Sequence, residues 1–376
     1  MDLRFTMLAV PPVLTQIHHD LALDEKAVGA LTSVPVLLLS IAAIGGSILI
    51  ARLGARRATI VGLSIIAIAG ALRGLGPSTA LLFAMTFIMG AGVAICQPAA
   101  PTLVGEWFPA RIGLATAVYV NGILVGEAIP ADLVPVILPH IGNSWEVNLA
   151  LWSIPVILTA LVFGWWISDV DRRGETHSIA WWPDWHKFLT WRLGILQAGI
   201  SVLYFALNAY IPDYFHAVGR PWLSPIAIGA LNTAQVPGSI ATLFFAQKLA
   251  GKPRFFFTIL LAALPAVAML IAGSDVMVIV GVSILGLSSA VFLTMIVALP
   301  PMLTHHGDVH RLSAGMFTIA YLGSFILTLL GGALWDATHI PATAFLPVAF
   351  GAVLVAFAGG TLPKSQFVSR AIDASH

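Results

Sequence analysis

The side chains able to do chemistry here are amides, phenols and hydroxyls spaced three, four or seven residues apart in otherwise apolar runs. Gln197, Ser201, Tyr204 and Asn208 form one stripe, Asn232, Gln235 and Ser239 a second, and Tyr321, Ser324 and Thr328 a third. Residues at that spacing share one helix face, so each run carries a polar stripe. Gln97 lies between Gly90 and Pro101, and Asn121 sits in the next apolar run. Such faces either line a polar cavity, where they would hydrogen-bond a small solute, or bond across packed helices for about 0.6 kcal/mol each. Arg4 would add a fixed positive charge suited to an anion.

Glu127 is the one carboxyl deep in an apolar run. It comes about 24 Å along a helix from Arg111, where desolvation would favour its protonated form and suit a proton carrier. Its face holds Thr116 and Ile123, so it either couples protons or pairs with a neighbouring helix. Asp132 shares a face with Asn121, nearer the run's end. His305, His306 and His310 with Asp308, and His18-His19-Asp20, lack the spacing of a closed zinc site, so no metal is expected. Gly251-Lys252 lacks the glycine spacing of a phosphate loop. With no nucleophile triad or carboxylate pair, an enzyme is not expected, nor is any cofactor.

These stripes need elements to hold them, and composition says which solvent those elements meet. Charged residues are 9% of the 376, against roughly 25% in soluble domains, and mean hydropathy is +0.94. A net charge of +1 gives no reason to expect nucleic acid as a partner. The single Cys96 excludes an intrachain disulfide. Twelve apolar segments follow one another at 3–17, 27–51, 57–76, 79–105, 112–134, 147–168, 189–215, 223–248, 254–273, 276–303, 312–335 and 342–362. They are numbered spans 1 to 12 below. All but the first are long enough for a hydrocarbon core of about 30 Å as helices. The expectation is an all-α polytopic membrane protein with twelve transmembrane helices.

Lys and Arg orient it. With both termini cytoplasmic, the inner breaks and tail hold Arg52, Arg56, Arg57, Arg111, Arg172, Arg173, Lys187, Arg192, Lys248, Lys252, Arg254, Arg311, Lys364 and Arg370, and the outer breaks only Lys26, Arg73 and Arg220. Fourteen against three is a strong positive-inside bias.

At an offset of 200 residues, Pro12 meets Pro212, Gly29-Ala30-Leu31 meets Gly229-Ala230-Leu231, Arg52 meets Lys252, Pro101 meets Pro301 and Arg111 meets Arg311. A constant register across several spans predicts two pseudo-symmetric six-helix halves, 1–170 and 189–376. Between them lies a cytoplasmic linker, 171–188, in which Trp181, Trp182 and Trp185 beside Lys187 suggest an amphipathic interfacial segment.

The stretch "ILIARLGARRATIVGL", with Arg52, Gly54, Arg56 and Arg57, resembles the conformational loop motif of the major facilitator superfamily, with Ala51 where an acidic residue is usual. With "MDLRF…VPPVLTQIHHDLAL" and "GAGVAICQPAAPTLVGEWFPARIGLATAVY" added, the chain resembles that superfamily's cyanate and 2-nitroimidazole transporter branch. The resemblance implies a monomeric secondary transporter in a bacterial inner membrane, carrying a small anion or small polar heteroaromatic compound by alternating access, with protons as candidate coupling ion. It implies a cavity between spans 1, 4, 7 and 10 and their neighbours. Arg4, Gln97, Asn121, Gln197, Tyr204, Asn208, Asn232, Gln235 and Tyr321 would bind substrate there. The alternative is a broad-specificity drug/proton antiporter with Glu127 essential.

Leu3 to Ile17 covers only about 22 Å as a helix. Either the chain starts upstream and Arg4 lies near mid-membrane, or Arg4 snorkels to the headgroups as an anchor. Pro98, Pro101, Pro300 and Pro301 are expected to kink spans 4 and 10.

Overall fold

The computed structural model describes residues 2–23, 31, 38–76, 78–165, 180–249 and 252–362. Within them the chain is helical, no strand occurs, and helices lie in all twelve spans. Nine stretches are long and apolar enough to cross a membrane, among them Thr79–Trp107, Phe188–Ala217 and Val309–Thr338. Spans 1 and 8 are divided into shorter helices, and span 2 is described chiefly as the apolar helix Leu38–Leu53.

Four interruptions share one cause. The helices Asp2–Leu8, Trp145–Leu151, Leu223–Thr233 and Asp275–Val297 each end on the residue four before a proline, namely Pro12, Pro155, Pro237 and Pro301. A proline has no N–H for that carbonyl, and its ring crowds it. The chain resumes as the helices Leu14–Asp20, Ile154–Trp165, Gln235–Leu249 and Leu299–Leu303. Span 10 therefore breaks where expected. Span 4 keeps its prolines inside one uninterrupted helix: Thr79–Trp107 runs through Pro98 and Pro101. Ala99 and Leu103 are buried with Ile50, Ala55 and Ala58 of spans 2 and 3, and that packing holds the helix together.

The contacts divide the chain into two compact units. The first comprises Met1–Trp107, Gly122–Pro183 and His306–Ala314. Its core gathers Phe5, Ala9, Val13 and Ile17 of span 1 with Leu82 of span 4 and Trp145, Leu149 and Trp152 of span 6. Span 1's break frees backbone carbonyls inside this core, and side chains take them. Arg73 donates through Nη2 to the Thr6 carbonyl, and Asn148 through Nδ2 to that of Ala9 at 3.3 Å.

The conformational loop is a single residue. Span 2 ends at Leu53 and the helix Ala55–Leu72 starts at once, with Gly54 at φ 83° and ψ 160°, a region side-chain-bearing residues scarcely enter. Arg56 reaches span 6 and donates to the carbonyls of Phe163 at 3.1 Å and Gly164 at 2.8 Å, compensating the negative end of that helix. The linker is described from Ala180; residues 180–187 form no helix. Ser47 Oγ donates to the Trp181 carbonyl at 2.6 Å and Arg311 Nε to that of Trp182 at 2.9 Å.

The second unit comprises Phe108–Asn121, Asp184–His305 and Gly315–His376. Its longest element, Phe188–Ala217, packs backbone to backbone on Leu346–Gly360. A Cβ at Gly199 would lie 2.6 Å from the Gly351 carbonyl oxygen, and one at Gly351 2.6 Å from that of Gly199. Small residues at such crossings let membrane helices approach closely.

Candidate functional site

In the second unit the amides of spans 5, 7 and 8 form hydrogen-bonded groups along one side of span 8. The span 7 helix carries Asn208 one turn beyond Tyr204, and Asn208 Nδ2 donates to the Tyr204 carbonyl at 2.9 Å. Asn208 Oδ1 accepts from Asn232 Nδ2 at 3.0 Å. Asn232 also donates to the Ile228 carbonyl at 3.0 Å, and its Oδ1 accepts from Gln235 Nε2 at 3.1 Å. Asn232 and Gln235 flank the interruption at Ala234, so the amides bridge the break that Pro237 imposes.

One turn further on, Ser239 Oγ lies 2.9 Å from Asn121 Oδ1 and 3.0 Å from the Val236 carbonyl oxygen, and its one proton is shared between these two acceptors. Asn121 Nδ2 returns a bond to the Ser239 carbonyl at 2.8 Å and a second to the Ala117 carbonyl at 2.8 Å. Span 8 is thereby tied to span 7 through Asn232 and to span 5 through Ser239. Beyond these, Gln247 Oε1 accepts from the Gly113 amide at 2.8 Å at the start of span 5.

Aromatic rings border spans 7 and 11. Tyr321 stacks on Phe317 with centroids 6.1 Å apart, and Phe205 lies 6.4 Å from Tyr321 and 5.4 Å from Tyr204. Gln197, one turn before Ser201, is 2% exposed, and its Oε1 has no partner among the described residues. An unspent amide oxygen in a buried setting is costly, so a group able to donate to it would be held there.

Asn121, Asn208, Asn232 and Gln235 are thus brought together. Gln197, Tyr204 and Tyr321 belong to the same unit through spans 7 and 11. Gln97 is buried on span 4 and Glu127 half-buried on span 5, both in the first unit, and each has an interaction partner. Arg4 falls in the helix Asp2–Leu8; its side chain, like those of Asp132 and His306, lies outside the described residues. Arg52 and Arg57 are exposed at the loop beside Gly54. Among the described residues no three His, Cys, Asp or Glu side chains come together as a metal site would require.

The sequence reading missed Arg73 and Asn148. Arg73 was assigned to an outer break but is 1% exposed. The available signal was an arginine inside the last turn of span 3, on the side the count leaves poor in Lys and Arg. Asn148 accepts from Trp152 Nε1 at 3.1 Å while holding the broken span 1.

The model of the Major Facilitator Superfamily matches residues 2–302. The cyanate transport protein CynX of Escherichia coli K12 is 26% identical over 253 residues, 67% of this chain and 62% of the relative. The 2-nitroimidazole transporter of the same organism is 26% identical over 257 residues, 64% of this chain and 62% of the relative. An uncharacterized transporter of Bacillus subtilis 168, YycB, is 22% identical over 353 residues, covering 90% and 85%. The chain therefore spans under two thirds of the length of the first and second of these three. Among solved structures, the proton:xylose symporter XylE superposes with a TM-score of 0.75 at 15% identity, covering 100% of this chain and 96% of that one. The transporter FucP, in its outward conformation, does so at 0.72 and 19%, covering 95% and 96%. Likeness at that identity concerns the fold alone. Matched over most of its length by the family model and folded as its members are, this chain belongs to the Major Facilitator Superfamily.

Proposed function

We propose that the protein is a secondary active transporter moving a small anion or small polar heteroaromatic compound, cyanate- or nitroimidazole-like, by alternating access across a bacterial inner membrane, as a monomer with both termini cytoplasmic. One observation carries the reading: the amides Asn208, Asn232 and Gln235 are joined at an interrupted helix. Neutral amides offer donors and acceptors together, which suits a small polar solute of either composition. Bonds worth little more than 0.6 kcal/mol each exchange readily for bonds to a solute. The likeness to cyanate and 2-nitroimidazole transporters supports the same cargo class. Asn121, Gln197, Tyr204 and Tyr321 of the same unit are the further substrate-binding residues of this reading, with Arg4 and Gln97 its candidates in the first unit. A ligand bound there shifts the balance of inward-open and outward-open states by its differential affinity for them.

Glu127 is the proton-coupling residue in this reading. Its half-buried place in span 5 also supports the alternative, a broad-specificity drug/proton antiporter. Equilibrium binding of labelled cyanate, 2-nitroimidazole and an amphipathic cation to the purified protein separates the two. Saturable binding of either of the first two, weakened in Asn232→Leu, supports the proposal. Binding of the cation alone supports the alternative and overturns it.

A further inference from the structure

Away from the amides of the second unit, the first unit contains a buried group of hydrogen-bonding side-chain atoms left without partners among the described residues. Thr6 of span 1, Arg73 at the end of span 3 and Ser153 of span 6 are 0%, 1% and 0% exposed. The three spans meet at Gly70, where a Cβ would lie 2.6 Å from Ser153 Oγ and 3.0 Å from Thr6 Cγ2. Arg73 spends Nη2 on the Thr6 carbonyl, orphaned by the break in span 1. Among the described residues its Nε and Nη1 have no partner, nor do Thr6 Oγ1 and Ser153 Oγ. Capping a helix end explains one nitrogen and leaves three guanidinium N–H groups and two hydroxyls unspent.

Charge is the second imbalance. Among the described residues no carboxylate pairs with Arg73, and a cation buried without a counter-charge is far more expensive than one hydrogen bond repays. A water molecule would satisfy donors but leave the charge uncompensated. A small anion satisfies both. The packing excludes a large or strongly hydrated one: the three side chains are at most 1% exposed, and even a Cβ at Gly70 would lie 2.6 Å from Ser153 Oγ.

We propose that Arg73, with the hydroxyls of Thr6 and Ser153, binds a small monovalent anion of the halide or pseudohalide class. The end of span 3 that holds it is the one the Lys and Arg count places outside. The site ties spans 1, 3 and 6 together whatever solute the amides bind, so it does not rest on the proposed cargo.

The test uses the full chain in lipid-free detergent, in gluconate buffer at constant ionic strength. Thermal unfolding is followed against sodium bromide, thiocyanate and sulfate. Bromide and thiocyanate are expected to raise Tm saturably and sulfate to leave it unmoved, because binding to the folded state stabilises it by mass action. Ser153→Ala should raise the half-saturating concentration about tenfold, the worth of one hydrogen bond to a charged group. Arg73→Gln should abolish the response, and bromide anomalous scattering should peak beside Arg73. Equal shifts with all three salts, or no shift in the wild type, would overturn the proposal without reference to any variant. A saturable shift unchanged in Ser153→Ala would overturn it too, as would an anomalous peak elsewhere.

Discussion

Asn232 donates to Asn208 across 3.0 Å, and this bond joins spans 7 and 8 within one turn of the place where span 8 is interrupted. A broken helix is a hinge only if the break is bridged by bonds that can be exchanged. Asn232 is bonded to Gln235 on the far side of Ala234, so losing it unties both junctions.

Asn232→Leu should therefore leave the fold nearly intact, with a loss of about 1 kcal/mol or less. Transport in proteoliposomes should fall by about tenfold or more, a barrier change of about 1.4 kcal/mol. Paired measurement of Tm and initial uptake rate checks this; equal losses of both would make the amide merely structural.

Gly54→Ala forces a side chain into a backbone region nearly restricted to glycine, at φ 83° and ψ 160°. The expected cost is about 1–3 kcal/mol, read as a lower Tm. Arg56→Ala, which removes both bonds to the end of span 6, should lower Tm by a similar amount without altering the loop glycine.

At the crossing of spans 7 and 12, Gly351→Val should be worse tolerated than either. The added carbons would meet the Gly199 carbonyl and the Val202 and Leu203 side chains, forcing the helices apart at about 1–3 kcal/mol or more. Loss of folded protein in fluorescence-detected size exclusion measures it.

Much of the architecture was legible in the sequence, because a bilayer demands about 20 apolar residues per crossing. The polar stripes were legible too, since spacing alone put Asn232 and Gln235 on one face. Their partners were not: that Asn121 meets Ser239 depends on how span 5 packs against span 8, which no local pattern encodes. Prolines were half legible. Pro12, Pro155, Pro237 and Pro301 each stop a helix four residues upstream, yet Pro98 and Pro101 sit inside an unbroken one. The burial of Arg73 was not legible, because the positive-inside rule places a residue along the membrane normal and says nothing of burial among helices.

Glu127→Gln removes the proposed proton carrier while keeping shape. Solute exchange at equal pH should persist within about twofold, whereas accumulation driven by a pH gradient should vanish, since coupling needs a group that gains and loses its proton. Intact gradient-driven accumulation in the variant would remove Glu127 from coupling.

The most direct test of the account is counterflow in proteoliposomes loaded with unlabelled cyanate or 2-nitroimidazole and diluted into trace label. The account predicts a transient overshoot of label with at least one of the two, absent from protein-free vesicles and reduced about tenfold by Asn232→Leu. No overshoot with either solute, alongside a clear one with an amphipathic cation, would contradict it.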